Sequence, residues 1–359
     1  MIFGITGCKE NTEDVYRQKT YDVNVDYIGE NYKPSENVKG VLQYADSKGY
    51  DVSGAADTIW IEEDKADADF IKSALNSKKT VIIIAGESAD ADALAKKFTD
   101  KTVKEAPEGE LFFEGLLLTE ITDSEYDAVG LYCSDRNASQ TEFLAFCSEY
   151  NYSARYQGNV LMTEIMSDAQ VIKNCFNVVN FSEQAYAVMF STLADYKDNP
   201  TGGTDPYRYE YTLMNYAEVI CVKGKSSGFN SAVYAGGDGM TVKPCPSEDI
   251  AFDSAVNVSV NFLFMRNFKT VFNTDYSGVI KPVIKGRDSL MEWRIACTDK
   301  KKNEIKSYNS KNFTGAADCV NTDGIYTPSF EVSFSTENDG VSSDWRLRIS
   351  MNEKSAKTD

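Results

Sequence analysis

The chain has 359 residues, a formal net charge of -18 and no histidine. The missing imidazole excludes Ser-His-Asp and Cys-His catalysis, His-ligated zinc and imidazole acid–base chemistry. The 55 Asp and Glu against 37 Lys and Arg argue against nucleic acid and anionic membrane surfaces as partners. The length exceeds one ordinary core, so two domains are expected, and 42% hydrophobic residues suffice to fold both.

Taken in order, residues 9–20 (KENTEDVYRQKT) read as a polar tether. Tyr21 to Ile28 alternates as a strand with one apolar face. Ser35 to Lys48 predicts a helix stopped by Gly49, then strands at Tyr50–Val52 and Thr58–Ile61. Asp64 is placed to cap a helix whose Phe70, Ile71, Ala74 and Leu75 share one face. Thr80 to Ala85 is a continuous apolar run, the pattern of a strand buried on both faces. Ser88 is expected to open the next helix, with Asp90 and Asp92 near its positive end.

Leu111–Leu118 and Ala128–Cys133 read as strands. Ser139-Gln140-Thr141-Glu142 has the form of a capping box, in which the Ser and Glu side chains satisfy each other's backbone N–H. Helices are expected after Asp168, with Val171, Ile172, Cys175, Phe176 and Val179 on one face, and from Ser182, with a Phe181–Tyr186 staple. The NPTGGTDP run over 199–206 marks a boundary. Beyond it come seven short alternating runs: Tyr207–Leu213, Ala217–Val222, Val256–Phe264, Val279–Ile284, Met291–Ala296, Ser329–Phe334 and Trp345–Ile349. They are separated by turns such as Gly236–Gly239, Asp323-Gly324 and Asn338-Asp339-Gly340. The expected architecture is a tether over 1–20, a doubly wound α/β, flavodoxin-like domain over 21–198, an all-β antiparallel sandwich over 207–351 and a frayed tail over 352–359.

Candidate sites follow from position. Gly86-Glu87-Ser88 sits at the carboxyl end of the buried run, where open sheets hold ligands and helix N–H groups hold anions. Asp135 and Arg136 occupy the equivalent place after the strand ending at Cys133, with Arg136 suited to a carboxylate or phosphate. Cys133 reads as an inert buried thiol unless a nearby cation stabilises its thiolate. Tyr207, Tyr209 and Tyr211 share one strand face and suit either a glycan or peptide surface or inter-domain packing. Cys221 with Cys245 and Cys297 with Cys319 could form disulfides, or all could be buried thiols. The Asp-rich runs lack the Gly and closing Glu of a calcium loop, and Lys300–Lys302 reads as a solvated hairpin tip. No catalytic residue, metal-ligand set or cofactor motif stands out.

Two resemblances bear on place and fold. Ile5-Thr6-Gly7-Cys8 resembles the cleavage motif of bacterial lipoproteins, in which the Cys becomes lipidated. It implies an extracytoplasmic protein joined to the cell membrane through Cys8. Val38 to Glu87, with Gly49-Tyr50-Asp51-Val52, Asp57–Ile61, Ala68–Leu75 and Thr80–Gly86, resembles the start of a class I glutamine amidotransferase-like, flavodoxin-type domain. The nucleophile turn of that family needs a Cys and a His partner. Here the turn reads Ala85-Gly86-Glu87-Ser88, so the resemblance implies a scaffold without the chemistry. The expected function is non-catalytic binding of a glycan or protein. The alternatives are a carboxylate-dependent glycan hydrolase of the cell envelope and a cytoplasmic or phage-encoded structural protein.

Overall fold

The structure, a computed structural model, describes residues 19–99, 106–122, 125–150, 170–196, 209–223, 225–234, 241–245, 249–252, 256–261, 267–272, 277–285, 290–298, 312–321, 325–326, 328–351 and 353–354. Cys8, Tyr207, residues 199–206, the turns at 236–239 and 323–324, and Lys300–Lys302 lie outside the described residues.

β1 (Tyr21–Ile28) is flanked by two parallel neighbours, β2 (Val38–Tyr44) on one side and β3 (Thr58–Glu62) on the other. β4 (Thr80–Ile84) extends the parallel set beyond β3. Its apolar run is buried as the sequence predicts, with Val81, Ile82 and Ile83 all at 0% exposure. Helix α1 (Ala68–Asn76) links β3 to β4, and α2 (Ala91–Phe98) follows β4. Asp67 and Asp90 cap these helices by accepting from Phe70 N at 3.0 Å and Ala93 N at 2.9 Å. The expected caps, Asp64 and Ser88, fall outside both helices.

β5 (Phe112–Thr122) turns antiparallel to β4, and β6 (Glu125–Cys133) antiparallel to β5. After α3 (Gln140–Glu149), β7 (Gln170–Phe181) lies parallel to β6. β8 (Ala185–Tyr196) and β9 (Tyr209–Cys221) continue antiparallel. The remaining strands are β10 (Lys225–Tyr234), β11 (Thr241–Cys245), β12 (Ile250–Phe252), β13 (Val256–Asn261), β14 (Asn267–Phe272) and β15 (Ser277–Lys285). They are followed by β16 (Leu290–Thr298), β17 (Asn312–Asn321), β18 (Ile325–Tyr326), β19 (Ser329–Asn338), β20 (Val341–Ser350) and β21 (Glu353–Lys354).

The doubly wound domain followed by a sandwich is overturned by this topology. One 11-stranded mixed sheet runs β11-β17-β9-β8-β7-β6-β5-β4-β3-β1-β2, and a six-stranded sheet runs β12-β15-β16-β10-β19-β20. β8 and β9, on either side of residues 199–206, are antiparallel neighbours over twelve registered pairs. Among the described residues there are three α-helices.

Three segments expected to be helical are strands. Ser35–Lys48 gives β2, because Gly40 takes φ +85° and lies so close to β1 that a side-chain carbon there would sit 1.7 Å from the Val23 carbonyl oxygen. A helix cannot hold that dihedral. The segments after Asp168 and Ser182 give β7 and β8. Cys175 and Val179 stand four residues apart, and four is even, so the same positions also share one strand face. Their β-branched neighbours favour the strand. Ser182 and Glu183, at φ 47° and 59°, form the turn of this hairpin. The Asn338-Asp339-Gly340 turn forms as expected, with positive φ at Asp339 and Gly340 joining β19 to β20.

The large sheet is covered on both faces near β1–β6. α1 and α2 bury Ile71, Leu75 and Leu94 against Ile28, Ile59, Ile61 and Ile83. On the other face α3 buries Phe143, Leu144 and Phe146 against Tyr27, Trp60, Leu131 and Tyr186. The β7–β8 turn meets the second sheet where Phe181 packs on Phe334 and Trp345, with ring centroids 5.2 and 5.0 Å away.

Candidate functional site

β1, β3, β4 and β6 all point their carboxyl ends the same way, because β6 is reversed twice relative to β4. Between β1 and β3 the connections diverge, since β1 leads outward to β2 while β3 leads to β4. Open sheets hold ligands at such a switch point. A cleft of about 1190 Å³ lies there, lined by the loop after β1 through Asn31–Ser35, by Glu62–Asp64 after β3, by Ala85–Glu87 after β4 and by Arg136–Thr141 after β6.

Each wall is fixed by a carboxylate. Glu62, buried at the end of β3, accepts from the Tyr27 hydroxyl, from Asn31 N at 2.9 Å and from Glu30 N at 3.0 Å. Burial works to raise its pKa, but these donors outweigh it and hold the carboxyl below its ordinary value. Its carboxyl group packs on Gly29, where a side-chain carbon would lie 2.4 Å from Glu62 Cδ. The far end of the same loop is held by α3. Thr141 Oγ1 donates to Lys33 O at 2.8 Å, and Glu142 accepts from Ser35 Oγ and from Asn37 Nδ2.

The capping box is therefore not made. Ser139 forms no side-chain cap bond, and Glu142 is drawn to the β1 loop instead. Ser139 N donates to Glu183 Oε1 at 2.6 Å, and Glu183 also pairs with Lys223 at 2.8 Å. In the Gly86-Glu87-Ser88 turn, where helix N–H groups were expected to hold an anion, the Gly86 N–H donates to Glu63 Oε2 at 3.0 Å.

Five acidic side chains, Glu62, Glu63, Asp64, Glu87 and Glu114, line the cleft against Lys33, Lys97 and Arg136. Two of the cations sit on rings, Arg136 over Phe112 at 4.6 Å and Lys97 over Phe98 at 4.8 Å. Glu114 is half-buried and accepts from Gln140 Nε2 at 2.7 Å. Burial raises its pKa, while the Gln140 bond and the Arg136 charge pull it back in part. On the floor, Tyr32 lies 5.2 Å from the Tyr27 ring and 6.4 Å from Trp60.

The fold thus brings Gly86, Glu87 and Arg136 into one cleft. Ser88 is exposed beside it. Asp135 shapes its own turn by accepting from Asn137 N at 2.8 Å. Tyr209 and Tyr211 do not join them: β9 is an interior strand, and its cleft-side end is Cys221, ten residues beyond Tyr211 and on the order of 30 Å along the strand. Cys133 is a buried free thiol whose Sγ donates to Asp135 O at 2.7 Å, and burial pushes its pKa up to about 11.

The Cys221–Cys245 bridge is not built by this register. Cys245 lies opposite Ala316, and Ala316 opposite Met214, which is seven residues from Cys221 along β9. That is on the order of 20 Å, beyond disulfide reach. Cys297 and Cys319 fall on different sheets, in β16 and β17.

Sequence reasoning missed Glu62, Glu63, Glu114 and the Asn31–Ser35 loop. The rule applied to Gly86 would have found Glu62-Glu63-Asp64, which follow the buried Thr58–Ile61 run in the same way. Among the described residues no group of His, Cys, Asp and Glu is arranged to hold a metal, and no helix is long and apolar enough to cross a membrane.

No family model and no curated protein matches the chain. Clostridium perfringens delta-toxin is similar at a TM-score of 0.27 and 5% identity, over 52% of this chain and 94% of the toxin. The membrane-inserted form of the Clostridium perfringens NetB toxin is similar at a TM-score of 0.16 and 9% identity, over 46% of this chain and 91% of that one. Likenesses this distant carry neither fold nor function to the present chain.

Proposed function

We propose that this chain is a non-catalytic binding protein whose switch-point cleft takes a neutral or cationic polar ligand, a glycan segment or an amine. One observation carries the reading. Three backbone donors around the cleft are already taken by the chain's own carboxylates: Gly86 N by Glu63, Asn31 N by Glu62 and Ser139 N by Glu183. Glu87 and Glu114 then face the cleft as acceptors for hydroxyl or ammonium donors. The absence of histidine is consistent with holding rather than reacting.

Calorimetric titration with a neutral oligosaccharide, spermine and inorganic phosphate tests this. Saturable heat with either of the first two and none with phosphate is expected. Glu87→Gln with Glu114→Gln should weaken the amine about tenfold, or about 1.4 kcal/mol. Saturation by phosphate alone, or by none of the three, overturns the reading. One observation favours a glycan hydrolase instead, the raised pKa of Glu114, which suits a general acid. Turnover of a chromogenic glycoside that Glu114→Gln abolishes would replace binding by hydrolysis.

The proposal extends to place: a lipid on Cys8 holds the protein at the outer face of the cell membrane. The mass of the native N-terminal peptide checks it. Acylated Cys8 is expected, and an unmodified Cys8 rejects the anchor.

A further inference from the structure

We infer that the ligand of this cleft is a free α-amino acid with an apolar side chain, held as a zwitterion between Arg136 and Glu114. The inference rests on the cleft being a binding site, and it names the chemistry of the occupant. Most of the acids that line the cleft are already used within the protein. Glu62 accepts from Tyr27, Glu30 N and Asn31 N, Glu63 accepts from Gly86 N, and Asp64 lies 3.9 Å from the Lys65 ammonium. Two carboxylates keep capacity. Gln140 takes Glu114 Oε2 at 2.7 Å, and among the described residues no donor takes Oε1. The Glu87 carboxylate has no partner among the described residues.

Arg136 brings the opposite charge into the same cleft. Its guanidinium lies over the Phe112 ring at 4.6 Å and, among the described residues, makes no hydrogen bond or ion pair. The ring contact holds the cation in place and leaves its N–H groups for a carboxylate. Arg136 is near enough to Glu114 to pull that carboxyl's pKa down, yet the two do not form an ion pair.

These two open charges select the occupant. A simple amine satisfies Glu114 but sets a second cation beside Arg136. A carboxylate or phosphate satisfies Arg136 but meets Glu87 and Glu114. A neutral glycan pairs with neither charge, and a charge enclosed without a partner is costly. An α-amino acid carries an ammonium and a carboxylate on one carbon, so it satisfies both charges at once. Within a peptide, one of those two groups is an amide. The side chain has a seat beside them. Phe113 precedes Glu114 in the chain, and Ile84 lies opposite Gly115 in the β4–β5 ladder. Both line the cleft half-buried, as does Tyr32 on its floor. An apolar side chain that covers them removes their surface from water. Three substituents held around one carbon also distinguish mirror images.

Calorimetric titration of the wild type with L-phenylalanine, D-phenylalanine, phenethylamine and N-acetyl-L-phenylalanine tests the assignment. Phenethylamine lacks the carboxylate, and N-acetyl-L-phenylalanine lacks the ammonium. One enantiomer of phenylalanine is expected to saturate the protein, with the other enantiomer and both analogues at least about tenfold weaker. Arg136→Gln should weaken phenylalanine about tenfold more than it weakens phenethylamine, and Glu114→Gln should weaken the two alike. Should either variant misfold, the four ligands on wild type decide alone. Phenethylamine bound as tightly as phenylalanine, equal binding of the enantiomers, or no binding of phenylalanine overturns the inference. Saturable heat with spermine or a neutral oligosaccharide would then leave the cleft a binding site for another occupant. No heat with any of these ligands removes that reading as well.

Discussion

Glu62 shows how one carboxylate can organise a site. Its folded pKa lies below the ordinary 4.5, so ionisation favours the fold. That contribution is complete above pH 4.5 and is lost as pH falls through the lowered value. Glu62→Gln removes the charge behind three hydrogen bonds and should cost about 2 kcal/mol at neutral pH. It should also flatten the acid limb of stability, as denaturant melts on either side of pH 4.5 would show. An unchanged acid limb would mean that Glu62 does not hold the loop. Cys133 makes the opposite case. With its pKa pushed to about 11 and its thiol bonded to Asp135 O, it should resist a thiol reagent in the native state and react only as the chain unfolds. Rapid native labelling would reopen the nucleophile reading that its position at the end of β6 invites.

At the scale of elements, capping depends on which acceptor reaches the first turn. Asp67→Ala and Asp90→Ala should each cost about 1 kcal/mol by removing a bond to the first turn of α1 or α2. Ser139→Ala should cost markedly less, because its hydroxyl makes no cap bond, whereas Glu183→Ala should weaken α3 from forty-four residues away. Urea melts of the four variants check the order, and equal losses for Ser139 and Asp67 would contradict it. The predicted α1 and α2 form because their apolar stripes and Asp caps agree. β7 and β8 were misread because a four-residue apolar spacing satisfies both a helix stripe and a strand face. β2 was misread because one interior glycine costs a helix only about 1 kcal/mol, and only the contact of Gly40 with Val23 shows why glycine is needed.

For the whole molecule, the pairing of β8 with β9 ties the two sides of residues 199–206 into one sheet. Calorimetry should therefore show one unfolding transition. A fragment ending at residue 198 would bare the β8 edge and should self-associate. Two well-separated transitions would show that the halves fold independently. The cleft belongs to this scale as well. Its walls come from loops more than a hundred residues apart in sequence, from Asn31 to Thr141, and are joined by Glu62 and Glu142.

The sequence by itself determined the local facts: an alternating first strand, a doubly buried β4, the apolar faces of two helices, an Asp339-Gly340 turn and a chain without imidazole chemistry. Each depends on neighbours within a few residues. It also placed Gly86, Glu87 and Arg136 at strand ends, where a ligand would sit. Only the tertiary structure decided that the strands form one mixed sheet, that Glu62, Glu63 and Glu183 fill the backbone donor sites, and that Tyr209 and Tyr211 lie far from the cleft. Those outcomes depend on register and on which distant carboxylate reaches which N–H, and sequence spacing encodes neither.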